Sequence, residues 1–93
     1  MGTTDEKVEF ATFVLSLGSS ALLHLGELET PSSGEAPQVD LELAKHTIDV
    51  LAMLQEKTKG NLTDGEATLV ENLLFDLRLR FVETSQAEKT KRG

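Results

Sequence analysis

From Phe10 to Leu25 the chain carries no lysine, arginine, aspartate or glutamate, and its large apolar residues alternate irregularly with Ala11, Ser16, Gly18, Ser19, Ser20 and Ala21. Wound at the helical period, Phe10, Phe13, Val14, Leu15, Leu17, Leu22, Leu23 and Leu25 spread around nearly the whole circumference. The pattern predicts a first helix that needs cover on almost every side. It is expected to start near Asp5, whose carboxylate suits a cap, and to run to about Leu28. Both prolines of the chain, Pro31 and Pro37, then fall in a stretch of small polar residues, so residues 29–39 read as a mobile connector.

Asp40 is the natural cap of a second helix, expected from Leu41 through Lys59 and ended by Gly60. Thr63-Asp64-Gly65-Glu66 has the form of a capping box, with Leu62 placed to staple against Ala67. A third helix is therefore expected from Asp64 to about Glu83. The connection between the two is short, which predicts an antiparallel hairpin. Each of these helices shows two apolar stripes. Helix two has Leu41, Ala44, Ile48, Leu51 and Ala52 on one side, with Leu43, Val50 and Leu54 beside Thr47 nearly opposite. Helix three has a wide face of Leu69, Val70, Leu73, Leu74, Leu77 and Phe81, with Phe75, Leu79 and Val82 behind it. A lone three-helix bundle gives each helix one inward face, so the second stripes predict further partners.

At 93 residues the chain is one domain at most, near the size at which a core alone becomes marginal. Four phenylalanines are its only aromatic residues, so leucine must fill the core. No segment alternates strictly with β-branched residues, and the abundance of leucine, alanine and glutamate favours helix. The fold class expected is all-α: a long helix, a connector and an antiparallel helical hairpin assembling as an oligomeric bundle. The domain spans residues 5–83, and the polar basic tail at 84–93 is expected to be disordered.

A net charge of -7 opposes binding to nucleic acid, whose phosphates require a basic surface. With no cysteine, the chain has no disulfide, thiolate chemistry or cysteine-ligated metal, which fits a reducing, cytoplasmic setting. The acidic start MGTTDEK has the form of neither a secretory signal nor a myristoylation site. Asn61-Leu62-Thr63 matches the glycosylation pattern but reads as turn chemistry. The uncharged run is too short and too broken by serine, glycine and histidine to cross a membrane.

Chemistry-bearing residues are sparse. Glu42, His46 and Asp49 share one side of helix two and form the one candidate metal or acid–base group, to be completed across an oligomer interface. The spacing lacks the Glu-x-x-His of helical di-iron sites, and a surface histidine is the preferred reading. His24 near a helix end suits a local structural role. Ser16, Ser19 and Ser20 have no histidine placed to activate them, Gly18 reads as a packing residue, and Gly65 belongs to no phosphate loop. Arg78 and Arg80, near Asp76 and Glu83, read as a solvated salt-bridged face. No catalytic residue, cofactor or metal ligand is assigned.

The segments FATFVLSLGSSALLHLGE, DLELAKHTIDVLAMLQEKTKGNLT and LLFDLRLRFVE, in that order, resemble the bacterial proteins grouped as domain of unknown function family 1844. The resemblance spans about Phe10 to Glu83. It implies a small bacterial helical protein and carries over no functional residue. The function expected from the residues is a self-associating protein-interaction module, a homo-oligomer (dimer or tetramer) open to a further protein partner. The alternative is a metal-binding or enzymatic bundle using Glu42, His46 and Asp49. Helix one is expected to meet its copy through Ser16, Gly18, Ser19 and Ser20.

Overall fold

A computed structural model describes residues 9–27 and 38–92. Within them the chain forms three helices: α1 (Phe10–His24), α2 (Leu41–Lys57) and α3 (Asp64–Arg92). There is no strand among the described residues. Asp5, the expected first cap, lies outside them, as does most of the connector. Helix α1 instead follows Glu9, whose side chain makes no capping hydrogen bond.

Helix α1 ends earlier than its apolar run suggests, because Gly26 turns the backbone. Gly26 has φ +77°, the left-handed region open to glycine. Its amide donates to the Leu23 carbonyl at 3.0 Å, and the Glu27 amide donates to the Leu22 carbonyl at 2.9 Å. These two bonds are the paired closure of a Schellman end. The Asp40 amide then donates to the His24 carbonyl at 2.7 Å, so the chain re-enters α2 beside the point where it left α1.

The two remaining starts follow their capping residues. Asp40 Oδ1 accepts from the Leu43 amide at 3.1 Å. At α3 the box is reciprocal: the Glu66 amide donates to Thr63 Oγ1 at 3.1 Å, and the Thr63 amide donates to Glu66 Oε1 at 2.9 Å. Helix α2 closes at Lys57, two residues before the expected end. The Thr58 hydroxyl donates to the Leu54 carbonyl, and Gly60 takes φ +88° in the turn that follows.

The expected end of helix three at Glu83 is corrected, for α3 continues to Arg92. The residues Thr84 to Arg92 include no glycine or proline, so nothing in their backbone stops the helix before Gly93. Polarity had suggested a loose tail, but polarity alone does not break a helix that is already nucleated.

All three helices contact one another around a leucine-rich core. Val14, Leu51, Val70, Leu74 and Leu77 are fully buried, and Ala21 and Ile48 join the same cluster. Clefts between α2 and α3 are lined first by Glu42 with Glu88, then by Asp49 with Arg78, then by Gln55 with Glu71. Residue numbers thus rise along α2 as they fall along α3. Thr47, assigned to the outer stripe from sequence, is buried instead, and its hydroxyl donates to the Leu43 carbonyl at 3.0 Å. Self-satisfaction within the helix lets this polar side chain sit against the core.

Candidate functional site: the exposed apolar faces

Helix α3 separates its apolar residues into two faces. Val70, Leu74 and Leu77 are buried, with Leu69, Leu73 and Phe81 packed beside them. On the other side Phe75, Leu79 and Val82 are 72%, 48% and 53% exposed. A second stripe on α3 was therefore legible, and one chain does not cover it. Phe75, Leu79 and Val82 line a shallow groove with Arg78 of the same helix and Gln55 of α2. Lys45 and Asp49 of α2 continue this edge beside Arg78 and Val82, and Lys45 Nζ bonds Asp49 Oδ2 at 2.9 Å.

The matching stripe of α2 is more nearly closed. Leu43 is exposed, while Val50 and Leu54 are half-buried. On α1 and the residue that caps it, Val14, Gly18, Ala21 and Leu25 face the interior at steps of four, three and four residues. The opposite face presents Leu15, Ser16, Ser19, Ser20 and Leu23, all exposed and without a charge, with Thr12 and Phe13 alongside. Gly18 is not part of that outer face. A Cβ built on it would stand 3.0 Å from Leu73 Cδ2 of α3, so the glycine serves a close approach within the chain. At 100° per residue Gly18 points away from Ser16 and Ser20, which removes it from the small-residue face expected to meet a copy.

The candidate chemical residues are not drawn into a site. Glu42, His46 and Asp49 are all exposed on α2. No three histidine, aspartate or glutamate residues among the described ones are placed to hold a metal ion. Every buried side-chain nitrogen and oxygen among the described residues has a hydrogen-bond partner, so no orphaned polar atom points into a cavity. His24 is half-buried at the end of α1 and its carbonyl, not its ring, makes the link to Asp40. Ser16, Ser19 and Ser20 face outward.

The two arginines differ in role. Arg80 Nε donates to Asp76 Oδ2 at 2.8 Å and Arg80 Nη1 donates to Glu27 Oε1 at 2.9 Å, joining the end of α1 to α3. The hydrogen bond and charge of Asp76, then the charge of Glu27, raise the guanidinium pKa above its ordinary value. The stabilisation this represents is present below the unfolded pKa and lost only as pH rises through the folded one, so it is constant across neutral pH. Arg78, by contrast, makes no ion pair among the described residues and stands over the apolar stripe. Sequence spacing treated the pair as equivalent, since the Glu27 contact depends on how α1 ends.

Structurally, then, this is a small helical protein that exposes an apolar stripe on α3 and an uncharged face on α1. The chain belongs to the family described as Domain of unknown function (DUF1844), whose model matches residues 7–83. No curated protein and no solved structure matches it. Among the described residues, no helix is long and apolar enough to cross a membrane.

Proposed function

We propose that the chain is a self-associating helical interaction module, built as a small bundle that completes its hydrophobic cover by joining further copies. The observation that carries this reading is the exposed run of Phe75, Leu79 and Val82 on a helix whose opposite face already supplies the core. Solvating three large apolar side chains in one stripe is unfavourable, and burying each is worth roughly 1.5 to 3 kcal/mol. The uncharged outer face of α1 supplies a second surface, so that a dimer using one face has another available for a tetramer or for a different protein. The acidic charge of the chain favours basic proteins in that last role.

Sedimentation equilibrium over a wide concentration range tests the reading. A mass that rises with concentration toward a closed oligomer is expected. A compact monomer at every concentration would remove it.

A further inference from the structure

Thr68, Asn72, Phe75, Leu79, Val82 and Gln86 follow one another along α3 at alternating steps of four and three residues, and all six are exposed. That alternation keeps side chains on a single seam when two helices wrap around each other. The centre of the seam is apolar and both ends are polar, so it is short and bounded. Its two edges carry Arg78 and Glu83, five residues apart, and neither makes an ion pair among the described residues. The seam is separate from the face of α3 that packs on α1 and α2, where Val70, Leu74 and Leu77 are buried.

We infer that α3 is the homotypic docking surface, and that two copies meet along this seam with their α3 helices parallel. The inference rests on the self-association reading and adds the face and the orientation. Charge fixes the orientation. Between parallel helices, a residue on one edge meets the residue five positions later on the opposite edge of the other helix. Arg78 of each copy then meets Glu83 of the other, twice per dimer about the two-fold axis. An antiparallel pairing brings like edges together. It sets Arg78 toward Arg78 of the second copy and Glu83 toward the acidic edge that carries it there, while Lys45 beside Arg78 is already paired with Asp49. The parallel form does place Glu71 toward Asp76 of the second copy, but Asp76 already bonds Arg80. The seam also matches a copy of itself in length, with an apolar centre against an apolar centre and Asn72 and Gln86 each facing their own equivalents.

The chain has no cysteine, so single cysteines report proximity without interference. In the full-length protein, Asn72→Cys and Gln86→Cys mark opposite ends of the seam. Under mild oxidation each alone should form a disulfide-linked dimer, because only a parallel, in-register pair brings both positions next to their equivalents. Leu79→Glu should weaken dimerisation by ~100-fold or more, each dimer losing two buried leucines, while the circular dichroism of the monomer is retained. Arg78→Glu and Glu83→Arg should each weaken the dimer, and the double substitution should restore it. A native chain that is monomeric throughout would overturn this inference together with the self-association reading. A native dimer that survives Leu79→Glu overturns the face alone, and a dimer disrupted by Leu79→Glu that cross-links through only one of the two cysteines, or through neither, overturns the parallel orientation alone.

Discussion

Gly18 of α1 lies directly against Leu73 of α3, close enough that a methyl group on the glycine would stand 3.0 Å from Leu73 Cδ2 and 3.1 Å from Cδ1. At this point the two helices leave little room for any side chain on α1. The partner atoms are the ends of a flexible, half-buried side chain, which decides what substitution does.

Gly18→Ala sets two effects of similar size against each other. Alanine gains about 1 kcal/mol of helix propensity over glycine, and Leu73 must give way by a few tenths of an ångström. The change is expected to be near neutral. Gly18→Leu forces the helices apart and should cost about 1 to 3 kcal/mol. Urea denaturation of both variants, repeated with Leu73→Ala to make room, checks this. Leu73→Ala should shrink the penalty of the larger residue, and a penalty unchanged by that substitution would place the obstruction elsewhere.

Gly26 and Gly60 both hold positive φ, at 77° and 88°, but only Gly26 has a neighbour, with Val39 Cγ2 3.1 Å from the position of an added Cβ. Gly60→Ala should cost about 1 to 2 kcal/mol from the backbone alone. Gly26→Ala bears the same backbone cost plus the encounter with Val39, so its melting temperature should fall further. Equal losses at the two sites would mean that Val39 moves aside freely.

Local signals that act over three or four residues were legible in the sequence. Asp40, the box of Thr63 and Glu66, and the two faces of α3 all follow from spacing along one segment. What escaped depends on chain that is distant in sequence or on a competing local signal. The uncharged run continued past His24, which hid the stop at Gly26. Gly18 was identifiable as a packing residue, but the partner was not, because its neighbour Leu73 comes from the far end of the chain. Arg80 gained its contact to Glu27 only once α1 ended where it does. Thr47 was misplaced because a hydroxyl looks polar from sequence, and its bond to the Leu43 carbonyl needs only its own helix.

The reciprocal hydrogen bonds of Thr63 and Glu66 mean that loss of the Thr63 hydroxyl frees the Glu66 amide of the first turn, and loss of the Glu66 carboxylate frees the amide of the capping Thr63. Thr63→Ala should cost about 1 kcal/mol and Thr63→Ser much less, since serine keeps the accepting oxygen. Thermal unfolding distinguishes them. Equal destabilisation by both would show that the threonine methyl, rather than the cap, carries the effect.

His46 is exposed, and its neighbour Asp49 is already engaged by Lys45. His46→Ala is therefore expected to change stability by less than about 0.5 kcal/mol. Calorimetric titration of the native chain with zinc should show no saturable site. Tight, stoichiometric zinc binding that disappears in the variant would restore the ligand reading of Glu42, His46 and Asp49.

Leu77 and Leu79 are two residues apart on one helix, and the structure assigns them opposite consequences. Leu77 is fully buried, so Leu77→Ala leaves a cavity in a small core and should cost about 2 to 5 kcal/mol, much of the stability of a domain this size. Leu79 is half in solvent, and in dilute solution Leu79→Ala should leave unfolding of the single chain within about 0.5 kcal/mol of native. Its effect should grow with protein concentration, because what it removes is contact between copies. Denaturation curves at two concentrations a hundredfold apart therefore separate folding from assembly. If the two variants lose stability alike, and independently of concentration, Leu79 belongs to the fold of one chain and its exposed stripe has no part in association.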